Sequence, residues 1–83
     1  MYSEVVVDMS KIVQVNPNIW VVAPYQVYLC IDCSDGAVCQ YVDTTSSDPY
    51  QFNLPDEFET YPSFSIKIVD AQGCVVCETY TWT

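Results

Sequence analysis

The chain has 83 residues, of which 51% are hydrophobic, so it can form the core of one small domain and has no length for a second. It carries eleven acidic residues against two lysines, with no arginine and no histidine, which gives a net charge of −9. This charge repels phosphate and argues against direct nucleic-acid binding, and the missing side chains remove the usual general base and anion clamp of an enzyme. We therefore expect a single non-enzymatic domain over residues 1–83.

The first quarter of the chain alternates short β-branched segments with turn residues. Residues 4–9 and 12–15 are rich in valine and isoleucine, which favour strands. Residues 16–18, Asn-Pro-Asn, predict a turn, because proline fixes φ and asparagine tolerates tight backbone angles. Residues 19–23 predict a further short strand, which Pro24 ends or confines to a sheet edge.

The middle of the chain predicts a hairpin followed by one more strand. Residues 25–33 have the period-two alternation of a strand with one buried face. The dipeptide at residues 35–36, Asp-Gly, indicates a hairpin turn, and we expect the second strand at residues 37–42. Residues 50–54 alternate again, and the acidic residues 55–62 connect them to the end of the chain.

Residues 63–82 predict a second β-hairpin. Phe64, Ile66 and Ile68 alternate with polar residues, which is typical of a strand with one face in the core. Asp70 can accept hydrogen bonds within a turn, and Gly73 can adopt the left-handed conformation that closes it.

Two registers of this hairpin compete. A four-residue loop pairs Val69 with Cys74 and places Cys77 opposite Ile66, whereas a three-residue loop brings Glu78 beside Ile66 in the core. The first register is favoured, because it keeps the Glu78 carboxylate on the outer face of the sheet. It sends Cys77 to the core and leaves Cys74 at the turn.

The predicted elements add up to an all-β fold. Seven or eight short strands are separated by turns, and no helical period is longer than one turn. We expect a single small immunoglobulin-like β-sandwich of antiparallel strands, and a small barrel is the alternative.

Five cysteines raise the hypothesis of a metal site. Cys30 and Cys33 form one C-x-x-C motif, and Cys74 and Cys77 form a second, with 40 residues between them. Four thiolates in tetrahedral geometry would hold a structural zinc ion, which stabilises domains that have a thin core. The counter-argument is that both motifs lie in predicted strands, where residues i and i+3 point to opposite faces.

Disulfides and free thiols are the other two interpretations of the cysteines. Two bridges and one leftover thiol can be drawn in fifteen ways, which the sequence cannot separate. Without a secretion signal the thiols are expected to stay reduced, and the favoured interpretation is small buried hydrophobes.

The carboxylates of Asp56, Glu57 and Glu59 could act as a catalytic pair, and this acidic cluster, or Asp43 with Asp48, could hold Ca²⁺ weakly. No EF-hand spacing supports a calcium site, and the segment is expected to face solvent. We interpret it as a solvated acidic loop.

Aromatic residues suggest a protein interface. The chain has seven tyrosines, three phenylalanines and two tryptophans, which is more than so small a core can hide. Tyrosine and tryptophan are frequent anchors of interfaces. In the favoured register Tyr80 and Trp82 point outward, so we expect them to form the interface.

No targeting or membrane segment is visible in the sequence. The N-terminal segment has acids before its first lysine and no apolar run of signal-peptide length, and no run approaches a membrane span. We expect synthesis in the cytoplasm, without a signal peptide and without membrane insertion.

Two segments carry a resemblance to a known class of proteins. Residues 49–55, PYQFNLP, and residues 61–76, YPSFSIKIVDAQGCVV, resemble the final strands of small immunoglobulin-like domains in bacterial and phage surface proteins. A leaderless, acidic, single-domain chain of this kind is similar to the auxiliary capsid, or decoration, proteins of tailed bacteriophages. The cysteine content departs from that pattern.

The resemblance implies a structural protein of a virion, made in the host cytoplasm and bound to capsid or other assembly subunits. Such a subunit would dock through aromatic anchors and edge strands. The alternatives are a zinc-stabilised adaptor domain and an extracellular adhesion module held together by disulfides.

Overall fold

The fold is described from a computed structural model, which covers residues 4–7, 11–17 and 21–81. These ranges contain one short 3₁₀ helix, Asp56–Thr60, and seven strands. The strands are β1 (Glu4–Val7), β2 (Ile12–Asn16), β3 (Tyr25–Cys30), β4 (Cys39–Thr45), β5 (Tyr50–Asn53), β6 (Ser63–Val69) and β7 (Val75–Thr81). Over the same ranges, no helix has the length and apolar content that a membrane span requires.

The strands form two antiparallel sheets, one with the order β1-β2-β5 and one with the order β4-β3-β6-β7. The predicted all-β sandwich is confirmed. Sheets of three and four strands match the strand count of constant-type immunoglobulin domains, but here the fourth strand has joined the sheet of strands three, six and seven. The strand predicted at residues 19–23 is not present at residues 21–23, and residues 19 and 20 lie outside the described ranges.

The core lies between the two sheets and follows the predicted alternation. Val13 and Val15 of β2 and Val27 and Leu29 of β3 are fully buried, and the alternate residues of β6 join them. Each of these side chains removes most of its apolar surface from water, which is the main stabilising contribution to folding.

The predicted register of the last hairpin is wrong by one residue. Val69 pairs with Val75, and Ile66 lies opposite Glu78 as in the alternative register with a three-residue loop, residues 71–73, between Asp70 and Cys74. The loop closes because the Asp70 amide donates to the Cys74 carbonyl at 2.9 Å, while Gly73 has φ of +85°.

The sandwich tolerates Glu78 on its inner side because β7 is the edge of its sheet. The Glu78 side chain is half-buried, and its carboxylate accepts a hydrogen bond from the Tyr80 hydroxyl. A carboxylate at a sheet edge keeps access to water, so the cost of burying the charge that disfavoured this register is largely avoided.

Candidate functional site

Four of the five cysteines form two disulfides. Cys30 of β3 is bonded to Cys39, directly opposite on β4, with 4.0 Å between the two Cα atoms. Cys33, in the loop after β3, is bonded to Cys77 of β7 with a Cα–Cα distance of 5.9 Å. Cys74 is a free, exposed thiol. The expectation that the cysteines are reduced, buried hydrophobes is therefore wrong for four of them.

The predicted zinc tetrad of Cys30, Cys33, Cys74 and Cys77 is not assembled. The first, second and fourth of these sulfurs are in disulfides and have no thiolate to offer a metal, and Cys74 lies in the β6–β7 loop. No group of three or more histidine, cysteine, aspartate or glutamate side chains able to hold a metal occurs in the part of the chain that the structure describes.

The Cys30–Cys39 disulfide joins the two ends of the loop between β3 and β4, residues 31–38. The Cys33–Cys77 disulfide attaches the loop to β7. Within it, the Asp32 carboxylate accepts hydrogen bonds from the Ser34 hydroxyl and the Ser34 amide, which lowers the pKa of Asp32. The Ile31 amide donates to the Val38 carbonyl at 3.1 Å, which continues the pairing of the two strands into the loop. The predicted Asp-Gly turn is present in modified form, since Gly36 has φ of +82° inside this longer loop.

A cleft of about 170 Å³, here called the end cleft, opens at the end of the sandwich where β3 ends and β4 begins. Two of its wall residues, Ile31 and Val38, are 37% and 71% exposed although both are aliphatic. Tyr61, after the 3₁₀ helix, is 38% exposed and packs edge-on against the ring of Phe58 at 5.5 Å. Among the described residues, the lining is Leu29, Ile31, Val38, Gln40, Glu57, Phe58 and Tyr61.

A second cleft of similar volume, the outer cleft, lies on the opposite face of the four-stranded sheet. Both disulfides contribute to its walls, together with acidic and small residues of the loop 31–38 and with Lys67. The Lys67 ammonium lies 5.2 Å from the centre of the Tyr28 ring, which packs against Tyr41 in a T-shaped arrangement. This face also exposes the apolar side chains of Tyr41 and Val75, and its lysine has an aromatic partner.

The loop also explains why Ser65, on the outer face, is completely buried. The Ser65 hydroxyl lies 2.8 Å from the Thr79 hydroxyl, and the Cys33 sulfur covers the same hydroxyl at 3.5 Å. The Cys33–Cys77 bridge thus holds the loop 31–38 against the outer face of the sheet. Ile31 and Val38, at the two ends of the same loop, form a wall of the end cleft.

The interface predicted at Tyr80 and Trp82 is only partly described. Tyr80 lies on the inner side of β7, because the register differs from the predicted one, and its ring is 5.9 Å from that of Phe64. It is half-buried and packs against the core. Trp82 lies outside the described residues. The acidic cluster falls on the 3₁₀ helix as two exposed carboxylates, Asp56 and Glu57, of which Glu57 lines the end cleft.

Ile31 and Val38 were missed as candidate site residues by sequence reasoning. Both are apolar residues that flank a turn, and each neighbours a cysteine of one disulfide, Cys30 or Cys39. An apolar residue next to a turn is usually buried on the core face of the adjoining strand. Ile31 and Val38 differ from such residues in their exposure, which the sequence does not show.

Comparisons with known proteins give no further guide. Neither a family model, nor a curated protein, nor a solved structure matches this chain.

Proposed function

We propose that the chain is a non-enzymatic structural protein that docks onto the subunits of an extracellular assembly, in the form of an auxiliary or decoration subunit of a virion. The observation that carries the proposal is the end cleft, where Ile31, Val38 and Tyr61 expose apolar surface on a chain with a net charge of −9. Exposed apolar patches bordered by polar residues are typical of protein interaction sites.

The two disulfides support a working environment outside a reducing cytosol. Disulfides persist in secreted proteins and at the surfaces of virions and cells. A small sandwich with a thin core gains stability from such bridges, which a particle exposed to the medium requires. The absence of histidine and arginine from the sequence supports a role without catalysis. No cofactor is part of the proposal.

A second candidate, an extracellular adhesion module, is favoured by the same two disulfides. It differs in location: an adhesion module resides on a cell envelope, whereas a decoration subunit resides on a particle. A zinc-stabilised adaptor does not fit the structure, because three of the four predicted zinc ligands are in disulfides.

Density-gradient sedimentation of native material tests the proposal. We expect the chain to sediment with large particles, in a fixed ratio to their major subunit, and to remain bound through a second gradient. Recovery with cell-envelope fractions would favour the adhesion module. Recovery as a slowly sedimenting monomer without affinity for purified particles would contradict both.

A further inference from the structure

The size of the end cleft restricts what it can hold. Its volume is about 170 Å³. Pockets for small-molecule ligands and cofactors have volumes of roughly 300–1,000 Å³, so the end cleft is too small for that class of ligand. It is suited to one apolar side chain presented by a larger molecule.

The walls of the end cleft are fixed before any partner arrives. Ile31 and Val38 are joined by a backbone hydrogen bond, and each directly follows or precedes a cysteine of the Cys30–Cys39 bridge. The Cys33–Cys77 bridge holds the rest of the loop against the sheet. A preformed site loses little conformational entropy on binding, which favours affinity.

An unpaired strand edge runs beside the cleft. β4 has seven residues and is the outermost strand of its sheet, and no described strand pairs with its other side. It contains no proline and no lysine, which commonly protect edges, and its one register shift lies between Tyr41 and Asp43, so residues 39–41 beside the cleft pair regularly with β3. Gln40 pairs with Leu29 and lines the cleft, so a strand added along β4 would bring its inward side chains to the cleft mouth.

The charges of the end cleft and of the whole chain favour a basic partner. The cleft lining contains one acid, Glu57, and no base, and Asp56 is exposed beside it. A second copy of the chain brings a charge of −9 and only two lysines, so the two copies repel each other. A segment with basic residues is attracted instead.

From these four observations we infer that the end cleft binds one aliphatic or aromatic side chain of an extended, basic protein segment. The segment pairs with the free edge of β4 and places a lysine or arginine beside Glu57. This inference rests on the proposed docking function and names the chemistry of the partner that the docking requires.

Peptide selection on the oxidised protein tests the inference. Random linear nine-residue peptides are displayed and selected, and the enriched sequences are synthesised as probes. We expect them to share a large apolar residue with lysine or arginine two positions away, on the same side of a strand. N-methylation of alternate peptide amides is expected to weaken binding by about tenfold or more, because it removes donors to β4.

Matched variants locate the site. Val38→Glu replaces an apolar wall residue by a carboxylate that the bound apolar side chain would desolvate, and this cost is expected to exceed the added attraction for a basic segment and to weaken probe binding by about tenfold or more. Val75→Glu is its control, since Val75 is 58% exposed on the opposite face of the same sheet, and binding should change by less than about twofold. Glu57→Lys should weaken binding by about fivefold or more, whereas Asp56→Lys, with the same charge change outside the lining, should have a smaller effect. All four variants are checked for the wild-type circular dichroism spectrum.

The outcomes separate this inference from the proposed function. Failure to enrich any shared sequence, or equal binding of the probes to wild type and Val38→Glu, overturns the inference. A wild-type dimer that Val38→Glu converts to monomer in sedimentation equilibrium also overturns it, because the occupant is then a second copy. Particles that retain Val38→Glu but lose Val75→Glu would leave the docking function intact and move its site to the outer face. Specific probe binding by a protein absent from all particles would support the cleft and contradict the virion role.

Discussion

Asp70 is the residue that ties the last hairpin to the segment preceding β3. Its carboxylate accepts hydrogen bonds from the amides of Gln72 and Cys74 at 2.9 Å and from the amide of Val22 at 3.3 Å. Burial acts to raise its pKa, but the bonds from the amides of Cys74, Val22 and Gln72 together hold the pKa of Asp70 below its usual range. The ionised carboxylate is therefore part of the native structure.

We expect Asp70→Asn to lower the melting temperature at pH 7 and to flatten the dependence of stability on pH in acid. Because the pKa of Asp70 is lower in the folded than in the unfolded chain, its contribution is complete above the unfolded value near 3.9 and is lost as the pH falls through the folded value. Thermal unfolding between pH 2 and pH 7 measures both effects. Asp35→Asn, in the exposed loop 31–38, is the control. An Asp70→Asn curve parallel to that of wild type would contradict the assignment.

Tyr25 is a second residue whose polar atom is fixed in the interior. Its side chain is buried, its hydroxyl donates to the Ser47 carbonyl at 2.6 Å, and burial, with smaller effects of Asp48 and Tyr50, raises its pKa to about 12. The sequence predicted only that Tyr25 begins a strand.

We expect Tyr25→Phe to reduce the free energy of unfolding at pH 7 by about 1–2 kcal/mol, because the Ser47 carbonyl loses its partner. In wild type, stability should fall as the pH rises from about 10, where an unfolded tyrosine ionises, to about 12. This fall should be smaller in the variant. Urea unfolding at pH 7 and pH 10.5 measures both quantities. Tyr28→Phe, which removes a hydroxyl bonded only to Gln26 at the surface, should change neither by as much.

At the scale of the elements, the two disulfides differ in how much chain they close. Cys33 and Cys77 are 44 residues apart, whereas Cys30 and Cys39 are 9 apart. In the chain-entropy description the longer loop contributes roughly 4 kcal/mol and the shorter one roughly 3 kcal/mol. The longer bridge also joins the loop 31–38 to β7, and both of its cysteines line the outer cleft.

We therefore expect the Cys33→Ser, Cys77→Ser double variant to lose more stability than the Cys30→Ser, Cys39→Ser double variant, by roughly 1 kcal/mol. Urea unfolding of the two double variants measures the difference. Each is the other's control, since both replace two cysteines by serine. If both variants unfold at the wild-type urea concentration, the bridges are not part of the native protein.

The strands whose apolar and polar residues alternate could be predicted from the sequence. The features that depend on contacts between distant residues could not. The buried faces of β3 and β6 follow from alternating apolar residues and are confirmed. The register of β7 was missed because it places the Glu78 carboxylate opposite Ile66, and because the Asp70 carboxylate that holds the turn also bonds to the Val22 amide, 48 positions away. Cys33 and Cys77 are also far apart in the sequence, and five cysteines allow fifteen arrangements of two disulfides and one free thiol. The end cleft lies between the β3–β4 hairpin and the 3₁₀ helix, which are separate in the sequence, so no local pattern encodes it.

At the scale of the whole molecule, one part of the fold accounts for its stability and another for the binding that we propose. The core between the sheets is made of buried aliphatic and aromatic side chains, which stabilise the fold. The bridges fix one loop, and that loop carries the apolar surface of the end cleft. A charge of −9 favours solubility and would attract the basic partner that we propose.

The central claim is that two specific disulfides build this site, and peptide mapping of native protein tests it most directly. The protein is alkylated, left unreduced and cut before each aspartate, which separates Cys30, Cys33 and Cys39 into different fragments because Asp32 and Asp35 lie between them. We expect Cys30 linked to Cys39, Cys33 linked to Cys77, and one alkylated thiol, Cys74. Five alkylated cysteines in the denatured chain, or any other pairing, would contradict the account.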